Sequence, residues 1–554
     1  MRARQVFMES LLAHGVEHIF GNPGTTESPL IGSLPDYPQL SYQVALHEGI
    51  AVGAASYYAQ ASGRTGVANL HVAPGLGNAL GMLYGAHKAN SPLLVTAGQQ
   101  DSRMRLREPL LGHDLVAMAA PVTKWSVQVE RGEEMDLVLR RAFKVAHDPP
   151  AGPVFLSLPI DVMEQQTEQP ASAAGELHRA PPADPAGIAR AAELLLAAER
   201  PAIVVGDDVA RARGHGELVA LAEAVGAAVW FEGLRQHASF PSHHANARAA
   251  LPFEAAGIRK ALDGADLVLL AGGPFFEEVW FAPGSPFPDG AAVLQIEETP
   301  QRLAFNHPLA VGLVGALPAT LAALTAAVGK GASADDLAAA ERRNGELAAL
   351  KEAEAAAHRA RLEKAWDRQP MAMVRAMAEL AGAMPADCIV VEESITANLD
   401  LARSFAFNAP GDYFSGRGGG IGQGLAGALG VKAACPERPV LAISGDGSAM
   451  YSIQALWTAA HHDLAIVFVI LANREYRVLK HNLDTYRQRF DALSNQDYPH
   501  MDLAAPALGF VEMAAGMGVG GERIEAAEQI GPALGQAFAS GKPYLLEVAI
   551  EGKR

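Results

Sequence analysis

The sequence predicts an α/β protein built from three doubly wound, parallel-sheet domains. Apolar runs of strand length recur along the chain, rich in Val, Ile and Leu, as expected for strands covered on both faces. Helix-compatible sequence separates each run from the next, the rhythm of strand and crossover helix. The 554 residues suffice for about three or four domains of ordinary size.

In chain order, residues 1–163 read as the first domain. A helix is expected over 6–14, strands over 18–20 and 41–46, a small-residue helix over 49–61, and buried strands over 66–71, 93–97 and 154–158. Residues 164–185 are polar and rich in Pro and Ala, as a linker would be. The middle domain, 186–330, has strand candidates at 202–205, 228–231, 267–270 and 292–296. An Ala/Glu/Leu/Arg-rich helical connector with a solvated charged face spans 331–370. The third domain, 371–554, carries strands near 388–391, 440–443, 466–470 and 544–548, with a helix expected over 449–460.

Composition removes several function classes. The formal net charge is −17, so no basic field exists to displace counterions from nucleic acid. The two cysteines, Cys388 and Cys435, belong to no metal-binding or disulfide pattern, which fits a reducing cytoplasm. The N-terminus reads as an amphipathic first helix, not a signal peptide, and no run of 18 apolar residues suggests a membrane span.

Chemistry gathers at strand ends. The apolar run that ends at Ser444 is followed by Gly445-Asp446-Gly447-Ser448, and the next run delivers Asn473. A carboxylate and an amide oxygen, both just past the carboxyl ends of parallel strands, suit Mg²⁺ shared with phosphate oxygens. Gly447 and Ser448 can add backbone N–H groups at a helix start. In the first domain, Gly21-Asn22-Pro23-Gly24-Thr25-Thr26-Glu27 follows a strand, Glu48 stands where a second strand passes into a helix, and His71 ends a third. Alone, Glu48 is an acid favoured by a helix dipole and His71 a structural ring. Their convergence with Thr25 on one sheet edge points instead to a site.

The set Asn22-Pro23-Gly24, Glu48, His71, Pro74-Gly75-Leu76-Gly77-Asn78, Lys124-Trp125-Ser126, Gly445-Asp446-Gly447-Ser448 and Ala455-Leu456-Trp457 resembles the thiamine-diphosphate-dependent 2-oxoacid decarboxylase family, nearest its benzoylformate decarboxylase branch. The resemblance covers nearly the whole chain. It implies thiamine diphosphate and Mg²⁺ as cofactors, a 2-oxo acid or aldehyde as small-molecule partner, and a homo-oligomer, a dimer at least and commonly a tetramer. The pyrimidine would sit on the first domain and the diphosphate on the third domain of a facing protomer. By resemblance, Glu48 hydrogen-bonds the pyrimidine ring and His71 exchanges protons with the adduct. Thr25 meets the substrate carboxylate, with Val478 and Leu479 also lining the pocket. Asp446, Asn473 and the Glu475 carbonyl hold the metal. Gly447 and Ser448 approach the diphosphate, Gly419 accepts from the 4′-amino group, and Ile421 wedges the cofactor into its bent form.

The chain also departs from the pattern. The family's second active-site histidine should fall within 274–281, where none occurs; Glu277 or Glu278 could replace it as a proton donor, but a simple surface acid is the favoured reading of both. Arg417 stands where a small residue is usual, and Arg474 to His481 is unusually charged. An acetolactate-synthase-like or 2-hydroxyacyl-CoA-lyase-like enzyme is the alternative within the same chemistry. A nicotinamide oxidoreductase would need a better Gly-rich turn than residues 420–425 provide. A non-catalytic regulator with a degenerate site fits poorly with intact Glu48, Asp446 and Asn473.

Overall fold

The computed structural model describes residues 1–552 except 174, 176, 179 and 493–496, so three positions of the expected linker lie outside the described residues. The chain divides into two compact units, one of residues 1–176, 365–404 and 415–554, the other of residues 177–364 and 405–414.

The first unit begins with β1 (His18–Gly21), β2 (Ser41–Val44), β3 (Gly66–Leu70), β4 (Leu93–Gln99), β5 (Trp125–Gln128) and β6 (Val154–Pro159). They form a parallel sheet in the order β2-β1-β3-β4-β6-β5. On one face, Phe7 and Leu11 of helix Ala3–Ala13 and Phe143 of helix Met135–His147 pack with Ile19, Leu94 and Val154. Burial of each such side chain contributes about 1.5–3 kcal/mol. β1 pairs with β2 on one side and β3 on the other, so the strand order reverses there, at the place where open α/β sheets receive ligands.

The second unit holds β7 (Pro201–Val205), β8 (Ala228–Phe231), β9 (Ala247–Ala250), β10 (Leu267–Ala271), β11 (Ala292–Glu297) and β12 (Val311–Val314), again parallel, in the order β12-β11-β10-β7-β8-β9. Helices Pro185–Ala197, His215–Val225 and Leu317–Gly331 build the larger core on one face, with Ile258 and Leu262 on the other. The expected connector is one 31-residue helix, Ala334–Lys364, in which Ala340 alone is buried.

The first unit then resumes with β13 (Ile389–Glu393). After the short β14 (Tyr413–Ser415) come β15 (Val440–Gly445), β16 (Ile466–Ala472), β17 (Gly520–Ile524) and β18 (Tyr544–Ala549). β13, β15, β16, β18 and β17 lie side by side and parallel. Helix Glu48–Ser62 crosses helix Gln423–Ala434 at very short range. A Cβ added at Gly430 would lie 1.9 Å from the Ala54 carbonyl oxygen, so only glycine permits this approach.

Two expectations need correction. The helix expected over 449–460 is two short helices, Asp446–Ala449 and Ala455–His461. Tyr451 N–H donates to Ser448 O and Ser452 N–H to Ala449 O, tight turns that re-aim the chain between them. Strands β5, β9, β12, β14 and β17 were also absent from the sequence reading. Four of them, β5, β9, β12 and β17, are sheet edges with few fully buried positions, so no continuous apolar run marks them.

Candidate active site

Three strand ends of the first sheet bring their side chains together. β2 ends at Val44, and the chain turns through His47, whose Nδ1 accepts the Gly49 N–H, into the helix that starts at Glu48. Glu48 is buried, and its two oxygens accept Asn22 Nδ2–H at 3.2 Å and Asn78 Nδ2–H at 3.0 Å. Asn22 comes from the turn after β1 and Asn78 from helix Val72–Lys88, so three segments fix one carboxyl.

His71 lies between β3 and that helix. The next residue, Val72, has φ +43°, a strained value for a β-branched residue directly beside a candidate catalytic group. His71 Nδ1 is 2.7 Å from Glu27 Oε2 and 3.4 Å from Thr26 Oγ1. Glu27 is 3% exposed. The sequence reading placed no role on it, although it closes the Asn22–Glu27 turn. Gly24 admits the ring, since a Cβ there would come within 2.1 Å of His71 Nδ1. Thr25 itself is exposed, its carbonyl accepting Ser28 Oγ–H at 2.7 Å; Thr26 supplies the buried hydroxyl.

In the third sheet, β15 and β16 are neighbours, with Gly445 opposite Leu471, so Asp446 and Asn473 leave adjacent strand ends. Asp446 is buried and accepts Gly447 N–H at 2.8 Å and Arg474 N–H at 2.6 Å. Asn473 Oδ1 accepts Glu475 N–H at 2.9 Å, and the buried Glu475 carboxyl pairs with Lys480. Burial pushes the Asp446 carboxyl up to about 7. A cation beside such a group would offset its desolvation. One carboxylate, one amide and nearby backbone oxygens form a hard-oxygen set fit for Mg²⁺. Among the described residues no group of three or more His, Cys, Asp or Glu side chains could hold a metal. Gly447 N–H is already engaged by Asp446, and Ser448 is buried beside it.

Gly418, Gly419 and Gly422 all have positive φ, and Gly419 is exposed, with no protein atom within 4 Å of where a Cβ would stand. The loop is anchored from β13. Glu393 accepts the N–H groups of Gly422, Gln423 and Gly424 at 2.8, 3.0 and 3.0 Å, and burial pushes its carboxyl up to about 7. Gln423 Nε2–H donates to the carbonyls of Arg417 and Gly420. Ile421 is half-buried and Arg417 fully buried. Val478 is half-buried and Leu479 exposed, at the start of helix Arg477–Arg489. Glu393 had no role in the sequence reading; the acidic pair closing an apolar run was its signal.

In the second unit, residues 274–281 include Phe276, whose ring stands edge-on to His307 at 5.8 Å. Among the described residues, no helix is long and apolar enough to cross a membrane.

The chain matches the models for the N-terminal TPP-binding domain (residues 1–118), central domain (188–324) and C-terminal TPP-binding domain (396–548) of thiamine pyrophosphate enzymes. It is 36% identical to benzoylformate decarboxylase of Pseudomonas aeruginosa, over 98% of this chain and 97% of that one. Identity to an acetolactate synthase large subunit of Mycobacterium tuberculosis is 29%, over 91% and 87% of the two chains. A solved structure of a thiamine diphosphate-dependent 4-hydroxybenzoylformate decarboxylase from Rhodococcus jostii superposes with a TM-score of 0.86 at 29% identity, covering 100% of both chains.

Proposed function

Because the chain belongs to the thiamine-diphosphate-dependent 2-oxoacid decarboxylase family, we propose that it removes CO₂ nonoxidatively from a 2-oxo acid of the benzoylformate type and releases an aldehyde. The observation that supports the substrate class is the 36% identity to benzoylformate decarboxylase, against 30% for a putative acetolactate synthase large subunit of Mycobacterium tuberculosis that also matches over the full length.

Thiamine diphosphate supplies a nucleophilic carbon and an electron sink when bound. The chain supplies position and protons. In our reading, residues 1–163 form the pyrimidine-binding domain, 186–330 the middle domain and 371–554 the diphosphate-binding domain. Glu48, held by Asn22 and Asn78, shares a proton with the pyrimidine ring. Asp446, Asn473 and the Glu475 carbonyl would hold Mg²⁺, and Gly447 and Ser448 would stand beside the diphosphate. The Lys480 pairing occupies the Glu475 carboxyl, which favours its carbonyl as the ligand. Gly419 would receive the cofactor's amino group through its carbonyl, and the half-buried Ile421 would pack against the cofactor and hold it in place, a proximity effect. His71 moves protons at the reacting carbon, with Thr25, Val478 and Leu479 along the pocket. The reading places the enzyme in the cytoplasm, as a dimer or tetramer whose sites straddle protomers.

The likeness to acetolactate synthases supports a second reading, capture of an aldehyde or oxo acid to form a hydroxy ketone. A screen of aromatic, aliphatic and dicarboxylic 2-oxo acids, with CO₂ and aldehyde measured separately, tests both. Equal amounts of CO₂ and aldehyde from an aromatic substrate are expected. CO₂ in clear excess of aldehyde, with a hydroxy ketone accumulating, selects carboligation.

A further inference from the structure

The surroundings of Glu27 decide which nitrogen of His71 carries a proton. Glu27 Oε1 accepts Thr26 Oγ1–H and Gly98 N–H, each at 2.8 Å. Oε2 accepts Gly24 N–H at 2.8 Å and faces His71 Nδ1 at 2.7 Å. Two of these donors are backbone amides and cannot reverse. A carboxylate has only lone pairs to offer and accepts from each of its partners. The remaining partner, His71 Nδ1, must therefore donate.

We propose that Glu27 is a positioning residue. It locks His71 as the Nδ1–H tautomer, points the ring, and leaves Nε2 as the nitrogen that takes up and returns a proton during turnover. His71 is 23% exposed, and Nε2 makes no hydrogen bond to the chain among the described residues. The carboxylate also stands ready to stabilise the imidazolium formed when Nε2 takes a proton, since the charge is shared with the Nδ1–H that it already accepts. Glu48 is the other carboxyl near this ring: a Cβ at Gly75 would lie 3.1 Å from Glu48 Oε1 and 3.4 Å from His71 Cβ. Glu48 is turned toward its two asparagine amides, so Glu27 is the carboxyl that addresses Nδ1, at 2.7 Å, with Thr26 Oγ1 farther off at 3.4 Å. The Glu27 pairing spans 44 residues of sequence, and the β1–β3 pairing makes it possible.

The inference rests on the reading of His71 as a proton carrier, so the test separates the two. Solid-state ¹⁵N spectra of the [¹⁵N]histidine-labelled holoenzyme, with thiamine diphosphate and Mg²⁺ bound and the ring neutral, are compared with those of His71→Asn, or of His71→Gln if that variant folds better. The difference signal is expected to show a proton-bearing Nδ1 and a bare Nε2. A proton on Nε2 overturns the proposal. In Glu27→Gln the new amide can donate to Nδ1, so the signal should switch to Nε2–H. Turnover of Glu27→Gln and of His71→Ala should each fall by about 10²-fold or more. The double variant should be no slower than His71→Ala, because Glu27 acts through the ring. Additive losses would mean that Glu27 acts through something else and would overturn the proposal. If His71→Ala turns over normally, the proton-carrier reading fails, and the spectrum still decides the tautomer.

Discussion

Glu48 has both oxygens filled by asparagine amides, so a glutamine there would turn an N–H toward an amide donor as well as remove the acid. Glu48→Gln should lower kcat by more than about 10²-fold while thermal unfolding stays close to wild type; near-normal turnover would remove its assigned role. Glu297 offers a test in the other unit. Burial raises its carboxyl from 4.5 to about 7, and Oε2 has no partner among the described residues. Its folded-state value lies above the unfolded one, so its contribution to stability is complete below about 4.5 and is lost as pH rises through about 7, up to about 3 kcal/mol. Glu297→Gln should remove that slope. Its thermal midpoint, relative to wild type, should be higher at pH 8 than at pH 5, and parallel curves would refute the assignment. Glu48, His71, Asp446 and Asn473 were legible because each stands where an apolar run stops. Glu27, Asn78 and Glu393 were not, because their roles depend on partners brought close only by strand order.

At the scale of elements, strands buried on both faces could be read almost to the residue, such as β10 at Leu267–Ala271. Most edges could not: β5 has four half-buried residues and no apolar run, whereas the edge strand β2 was read at 41–46. The crossing of helices Glu48–Ser62 and Gln423–Ala434 was equally silent, since small residues carry no periodic signal. It yields a paired prediction. Gly430→Ala should destabilise the protein by about 1–3 kcal/mol or more, because the new methyl meets the Ala54 carbonyl. Gly535→Ala, in helix Ile530–Ala539 with nothing within 4 Å, should stabilise it by about 0.4–1 kcal/mol. Thermal midpoints that move in the same direction would show that the crossing is looser than described.

For the molecule as a whole, the composition and strand rhythm sufficed for three parallel sheets, while the assembly of protomers left no mark that periodicity could reveal. If Glu48 and Asp446 serve one site from different protomers, two inactive variants should rescue each other. Co-expressed Glu48→Gln and Asp446→Asn chains should regain about a quarter of wild-type turnover, the share of sites that random pairing leaves intact. No recovery in oligomers shown by light scattering to be mixed would place both residues in one chain's site. The glycine-lined crossing and the long helix Ala334–Lys364 then stand at opposite extremes of substitution tolerance. A mutational scan of every position should find almost no accepted change at Gly430, where the space is already taken by backbone. It should find wide acceptance along the helix, where one residue in 31 is buried.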